Sequence, residues 1–308
     1  MAVEVVMTNA EALLMDHRDG TRSDRLDWAA VGWYVLGRRT LEGGYSFYRT
    51  PEWAVEEPNA PDTLAALESL RLLGIDIPAP AQTGDWLRCL QEDDGGYPTL
   101  TIGWATLRSL YVLAVEPVCS SERWLRGWVH VLGSRGRSRD WRAAIVDASH
   151  VLELLHLRHG TLSGPEHASM TALLHTAGAP NEGWARPGAD LETTATAVRL
   201  AQLLNQRWHP DPQLTSFVSR CEDQQLGFGL APNSRATSVG ALWGGLVISR
   251  VLGQRVRYPD AVGQQLALLQ RPDGGLGARH HAISTLQATW RGLQAARLLD
   301  GPEEKGPS

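Results

Sequence analysis

A short glycine-aromatic motif recurs along most of the chain and constrains its fold more than any other feature. The copies stand at intervals of roughly 45 to 50 residues, a spacing typical of arrays of helix pairs. They are Gly43-Gly44-Tyr45, Gly95-Gly96-Tyr97, Gly183-Trp184, Gly227-Phe228-Gly229 and Gly274-Gly275-Leu276-Gly277, with a degenerate copy between Gly133 and Trp141. Because a single helix pair cannot bury its own apolar face, the repeats must stack. The repetition therefore predicts six similar units.

Each motif is followed by a segment with helical spacing of apolar residues, at positions i, i+3, i+4 and i+7. The six segments are 63–73, 105–113, 145–155, 194–204, 239–252 and 286–299. Shorter helical stretches precede the motifs, and alternating strand patterns are nearly absent. We therefore predict an all-α fold. Because no terminal unit reads as a polar cap, we expect the units to close into an (α/α)6 toroid around a central cavity.

The predicted domain organisation is simple. Residues 26–299 form the toroid, residues 1–25 an N-terminal extension, and the polar residues 300–308 a disordered tail. The net charge of −5 disfavours binding to nucleic acid or to an anionic membrane. The three cysteines contain no Cys-x-x-Cys pair, and neither a signal peptide nor a membrane-spanning segment is visible. We expect a cytoplasmic protein whose partner is a small molecule.

The densest cluster of polar residues follows the motif of the fourth unit, Gly183-Trp184. Residues 184–200 read WARPGADLETTATAVRL, so that Asp190, Glu192 and Thr193 stand at the start of a predicted helix. Asp and Thr are ordinary N-caps, and a glutamate in the first turn complements the helix dipole, so one interpretation is purely structural. If this helix lines the cavity, however, burial would favour the neutral form of a carboxyl group at its start.

The helix pairs, with Gln-x-x-Asp-Gly-Gly turns at 91–96 and 270–275, resemble the prenyltransferase and squalene-cyclase repeat family. The resemblance covers about residues 26–299. Within it, the segment Asp190–Leu200 resembles the Asp-x-Asp-Asp-Thr-Ala segment of class II terpene cyclases. It is closer to the Asp-x-Asp-Thr-Thr variant of bacterial drimane-type sesquiterpene cyclases, and is also similar to labdane-type diterpene cyclases.

The resemblance implies an enzyme that protonates the distal alkene of a linear prenyl diphosphate. The substrate would be farnesyl or geranylgeranyl diphosphate, and the product a drimane- or labdane-type bicyclic diphosphate. The proton donor would be Glu192, which replaces the family's aspartate, with Asp190 and Thr193 at the first and third positions of the motif. Such chemistry calls for a neutral acid in a dry, apolar cavity.

A carbocation is stabilised by aromatic faces, and a diphosphate by arginine forks. The chain holds twelve tryptophans against six tyrosines and three phenylalanines, although each ring can equally be a core residue. The candidate aromatic contacts are Trp33, Tyr45, Trp104, Trp184, Phe228 and Trp243, and the candidate clamp residues are Arg186 and Arg235. Other arginines for this role are Arg38, Arg39, Arg49, Arg279 and the run Arg135, Arg137, Arg139, Arg142. His280 or His281 could accept the final proton.

Protonation itself needs no cofactor, although Mg²⁺ could bridge a diphosphate to a carboxylate. Three alternatives stay open. A zinc-dependent prenyltransferase is disfavoured, because no cluster of His, Cys and Asp has ligand spacing. A non-catalytic or lapsed toroid could bind an isoprenoid or another lipid, and a meroterpenoid cyclase would act on a substrate without diphosphate. A homodimer could cover the open side of the cavity.

Overall fold

The computed structural model of the chain describes residues 26–47, 57–134, 140–158, 160–179, 183–184, 188–205 and 212–301. Within these residues the chain is mostly helical, which confirms the all-α prediction. The helices are α1 (Trp28–Leu36), α2 (Ala60–Leu73), α3 (Pro80–Arg88), α4 (Leu100–Val112), α5 (Glu122–Ser134), α6 (Trp141–Leu157), α7 (Gly164–Ala177), α8 (Leu191–Leu203), α9 (Pro212–Cys221), α10 (Val239–Val251), α11 (Pro259–Leu269) and α12 (Leu286–Asp300). The predicted extension 1–25 lies outside the described residues, as does most of the predicted tail.

The strands are two short antiparallel hairpins in the turns. β1 (Gly178–Ala179) pairs with β2 (Gly183–Trp184), and β3 (Glu222–Asp223) pairs with β4 (Gly227–Phe228). Gly183 and Gly227 have positive φ angles of 75° and 69°, which favour glycine. The glycine-aromatic motif is therefore a turn motif that reverses the chain between two helices.

The six even-numbered helices, which coincide with the six predicted apolar segments, contact one another in succession from α2 to α12, and α12 contacts α2. Their burial distinguishes them from the others. Helix α2 buries eleven of its 14 residues, whereas α5 buries three of its 13. The apolar side chains of the even-numbered helices belong to one continuous core. These helices therefore form the buried part of the fold, and the odd-numbered helices pack against them.

Every even-numbered helix begins with a polar cap. In each case the capping side chain accepts a hydrogen bond from the backbone N–H three residues further on, which satisfies a donor that the helix leaves unpaired. The six caps are Asn59, Thr99, Asp140, Asp190, Ser238 and Thr285. The shared device fixes where each helix starts.

Equivalent glutamines join neighbouring units at the Asp-Gly-Gly turns. The Gln91 side chain accepts a hydrogen bond from the Cys119 N–H and donates one to the Cys119 carbonyl. Gln270 makes the same two bonds with Asp27, at the start of the described chain. The last unit is therefore joined to the first by the same pair of glutamine-to-backbone hydrogen bonds that joins consecutive units.

This junction predicts a large difference between two glycine substitutions. Gly274 has a φ of +89°, and a Cβ atom there would lie 2.2 Å from the Ala30 carbonyl oxygen. Gly253 has a φ of +63° but open space around it. We expect Gly253→Ala to cost about 1 kcal/mol of unfolding free energy, from backbone strain alone. Gly274→Ala should cost about 3 kcal/mol, because the junction must also shift.

Urea unfolding of both variants checks this prediction. Equal losses at the two positions would show that the contact between the last unit and α1 does not contribute to stability.

Candidate functional site

A cavity with a volume of about 590 Å³ lies where the six even-numbered helices begin. Each of these helices contributes to its wall near its N-terminal end. These residues are Pro61, Thr101, Arg142, Asp190, Glu192, Ser238, Val239, Gly240, Ala241, Thr285, Gln287 and Ala288. The volume suits a small organic molecule. Helix N-termini carry positive partial charge, so the wall favours an anionic group.

Asp190 caps α8 and is also paired with an arginine. Its Oδ1 accepts a hydrogen bond from the Thr193 N–H at 2.8 Å, and its Oδ2 accepts one from the Thr193 hydroxyl at 3.1 Å. The Arg142 guanidinium forms an ion pair with the same Oδ2. Asp190 and Thr193 thus hold the start of α8 and fix Arg142 at the wall of the cavity.

Thr194 has a purely structural contact. Its hydroxyl oxygen accepts a hydrogen bond from the Trp184 N–H at 3.1 Å. Thr63 and Thr289 make the equivalent contact in other units, with the N–H groups of Tyr45 and Leu276. The second threonine of the motif therefore belongs to the general design of the repeat and not to a site specific to α8.

Glu192 lies in the first turn of α8 and lines the cavity. Its carboxylate covers Gly240, where a Cβ atom would lie 2.1 Å from Oε2, so a glycine at this position admits the carboxylate to the surface of α10. Oε1 lies 3.7 Å from the Arg291 Nε, and the side chain is 49% exposed. The carboxyl group therefore faces an arginine and accessible space, which differs from the expected dry, apolar surroundings. The role of Glu192 as proton donor stays a prediction.

Arg291 lies against two indole rings, one of which, Trp243, is a predicted contact for a carbocation. Its guanidinium carbon is 3.9 Å from the Trp243 ring centroid and 5.9 Å from that of Trp290. Burial lowers the pKa of Arg291 to about 10, while the charge of Glu192 opposes the shift. The side chain is therefore still a cation at neutral pH, and the indole faces already contact a positive charge.

A second buried ion network extends from the cavity wall. Arg108 pairs with Glu68 at 2.7 Å and also with Glu153, and Trp104 donates a hydrogen bond to Glu153 at 2.9 Å. Arg199, whose pKa is lowered by burial, lies within electrostatic range of the same residues. The prediction of an apolar chamber is accordingly wrong: charged groups on the even-numbered helices occupy its surroundings.

His150 is a further polar residue of the wall. Its ring stacks on Trp104 with centroids 3.9 Å apart, and its Nδ1 is buried without a hydrogen-bond partner. Burial lowers its pKa to about 3, with further contributions from the positive charges of Arg108 and Arg291. The imidazole is therefore neutral at physiological pH.

Most of the other predicted substrate contacts do not line the cavity. Of the aromatic candidates, Trp104 lines it, and Trp243 contacts the Arg291 guanidinium without lining the cavity itself. Tyr45, Trp184 and Phe228 are buried core residues of the turns. Trp33 on α1 is 37% exposed, Arg235 is exposed on a loop, and neither lines the cavity. Arg186 lies outside the described residues.

Among the wall residues that sequence reasoning missed are His150, Trp290 and Arg291. The signal available for His150 and Arg291 was a titratable residue within a helical segment of apolar spacing. Arg291 falls inside the predicted segment 286–299, and His150 inside 145–155. Such residues indicate a polar interior once the helix is known to be buried.

The described residues contain no group of three or more His, Cys, Asp and Glu side chains placed to hold a metal ion. The two carboxylates of the cavity wall, Asp190 and Glu192, both face arginines. The protein groups of this wall therefore do not fit a dedicated Mg²⁺ site. In the part of the chain that the structure describes, no helix has the length and apolarity needed to cross a bilayer.

Neither the models of protein families nor the sequences of curated proteins gave a match to this chain.

The lowered pKa of His150 predicts a pH dependence of stability. Between about pH 6.5 and 3 the unfolded chain binds a proton at this residue that the folded chain does not. Stability should therefore fall as the pH falls through that window, by up to roughly 1.4 kcal/mol per pH unit from this group. In urea unfolding between pH 6.5 and 4.5, His150→Phe should show a shallower dependence than the wild type. The exposed His175→Phe serves as the control and should keep the wild-type slope; a slope unchanged in His150→Phe would contradict the assignment.

Proposed function

We propose that the chain is a single (α/α)6 toroid of the class II terpene cyclase type, and that its cavity takes up a linear prenyl diphosphate. Farnesyl or geranylgeranyl diphosphate would be converted to a drimane- or labdane-type bicyclic diphosphate. The toroid is supported by the succession of contacts among the even-numbered helices, which returns from α12 to α2. The chemistry is supported by the resemblance of the segment Asp190–Leu200 to the proton-donating motif of these enzymes.

The observation that carries this proposal is the place of Glu192. It is the acidic residue at the motif's donor position, and its side chain lines the cavity at the helix starts. Gly240 lets its carboxyl group lie against the neighbouring helix α10. A hydrocarbon chain inside the cavity would therefore come within reach of this group.

Proton transfer to an alkene requires the neutral acid, whereas the observed contact with Arg291 suits the carboxylate. We infer that the substrate creates the acid. Its hydrocarbon chain displaces the contents of the cavity, and the loss of solvation then disfavours the charged carboxylate of Glu192. At 3.7 Å the Arg291 contact is longer than a close hydrogen bond, which makes it suited to breaking when the cavity fills.

The diphosphate would bind at the rim. Arg142 and Arg279 both line the cavity, and Arg279 makes no ion pair with any described residue. The surrounding helix N-termini add favourable partial charges for an anion. The anionic end would then lie at the helix starts and the hydrocarbon chain further inside.

A second candidate is binding of a prenyl anion without cyclisation. The contacts of Arg291 with Trp243 and of Arg108 with Trp104 favour it, because these guanidinium groups use aromatic faces that a carbocation would need. Binding alone does not require a neutral Glu192. The two candidates therefore differ in one testable respect, the dependence of the outcome on an acidic proton.

The cyclase proposal predicts that Glu192→Gln abolishes cyclisation. The purified chain is incubated with farnesyl and geranylgeranyl diphosphate, treated with phosphatase, and the alcohols are identified by mass spectrometry. We expect cyclic alcohols from the wild type and a loss of about 10²- to 10⁴-fold in Glu192→Gln, as for removal of a general acid. Glu192→Asp keeps the acid but shifts it by about 1 Å, so a loss of about 10²-fold is expected.

Glu116→Gln is the matched control, because the Glu116 side chain is 91% exposed. It should retain wild-type turnover. Uncyclised alcohols from the wild type, with farnesyl thiodiphosphate bound equally by wild type and Glu192→Gln, would contradict the cyclase and favour the binding function.

The rim assignment predicts a loss of affinity in Arg279→Gln. A charge-assisted hydrogen bond to a phosphate contributes about 1.5–3 kcal/mol, so the Kd for farnesyl thiodiphosphate should rise about tenfold or more in calorimetric titrations. Arg88→Gln, an exposed arginine on α3 that does not line the cavity, is the control. Equal affinities of the two variants would show that Arg279 does not contact the diphosphate.

A further inference from the structure

His150 lines the cavity and has a buried ring nitrogen without a hydrogen-bond partner. It projects from α6 into the cavity wall that also contains Glu192. Its Nδ1 is closed off from solvent and has no hydrogen-bond partner, so Nε2 is the ring nitrogen that the contents of the cavity can reach. Buried polar atoms are nearly always paired, and an unpaired one in a cavity wall calls for a functional explanation.

The neighbours of His150 keep it neutral and oriented. Its ring is held parallel to the Trp104 indole, which Glu153 fixes in turn through a hydrogen bond to Nε1. Burial and the cations Arg108 and Arg291 oppose protonation of the imidazole. In the tautomer that carries its proton on Nδ1, the neutral imidazole has a lone pair on Nε2. This lone pair can take up a proton from a carbocation in the cavity, and the nearby cations then favour its release.

We propose that His150 is the base that accepts the proton which ends the cyclisation, with Nε2 as the accepting atom. The inference rests on the proposed function, because it needs a carbocation in the cavity. It replaces the prediction of His280 or His281 for this role. Those two histidines are exposed and do not line the cavity, and His280 contacts the Gln265 side chain at 2.9 Å.

The proton balance of the cycle is closed. The O–H bond of neutral Glu192 breaks, and its proton forms a C–H bond at the distal alkene. The π electrons of the chain form the ring bonds, which leaves a carbocation. A C–H bond next to that cation then breaks, its electron pair forms a new alkene, and the proton passes to His150 Nε2. The imidazolium, destabilised by Arg108 and Arg291, returns the proton to the Glu192 carboxylate, so the net reaction is an isomerisation.

The test separates the start of the reaction from its end. His150→Phe keeps an aromatic ring against Trp104 but removes both nitrogens. Products of farnesyl and geranylgeranyl diphosphate are compared in D₂O for the wild type, His150→Phe and Glu192→Gln. The wild type should give one bicyclic alkene with one deuterium from the initiating step. In His150→Phe, substrate should still be consumed and deuterated, but the share of the wild-type alkene should fall about tenfold or more, with alkene isomers and hydroxylated products in its place.

Binding of farnesyl thiodiphosphate by His150→Phe shows that the variant is folded, and His150→Gln provides a second variant without a basic nitrogen. An unchanged product and product ratio in both variants would overturn the role of His150 while leaving the cyclase proposal standing. Wild-type chain that gives no cyclic product from either substrate would overturn both proposals.

Discussion

The contact between Glu192 and Arg291 determines what the cavity can do. One residue lies at the start of α8 and the other in the second turn of α12, and their side chains approach to 3.7 Å. The Glu192 carboxylate also lies against Gly240 of α10. While the pair is intact, a positive charge lies beside the carboxyl group. If a bound hydrocarbon separates the pair, the same carboxyl group loses both its solvation and its counter-charge. The proposed chemistry therefore depends on how the cavity changes between its empty and filled states.

A few local structural features, repeated from unit to unit, position the residues of this contact. Polar caps set the first residue of every even-numbered helix, and left-handed glycines such as Gly95 and Gly274 set the turns between helices. Gln91 and Gln270 then set the distance between neighbouring units. Because all six helix starts are placed in this way, residues remote in sequence such as Arg142, Glu192 and Arg291 meet around one cavity.

Much of the fold could be predicted from sequence, because its signals are local. The apolar spacing located all six even-numbered helices, and the Gly-aromatic pairs located the turns. The positions of Asp190 and Glu192 at the cavity also followed from the start of a helix. The roles of the aromatic residues could not be predicted in this way, because a tryptophan in the core and one at a cavity wall have the same local pattern. Tyr45 and Phe228 are core residues of turns, whereas Trp104 lines the cavity.

The charged interior was missed for a related reason. Arg108, Glu153 and Arg291 lie on three different helices. That opposite charges compensate one another is visible only once the helices are packed together. Sequence patterns give the face of a helix on which a residue lies, but not the partner it meets there. A resemblance to cyclases favoured an apolar chamber, while the packing of these helices brings cations against the indole rings. The neutral state of His150 follows from the same cations.

The central claim is that a bound hydrocarbon converts Glu192 from a carboxylate into a carboxylic acid. Infrared difference spectroscopy can test it with a farnesyl diphosphate whose distal alkene has been saturated, since this analogue fills the cavity but cannot accept the proton. The account predicts that binding produces the carbonyl band of a protonated carboxyl group, and that the band is absent from Glu192→Gln. Saturating binding with no such band in the wild type would contradict it.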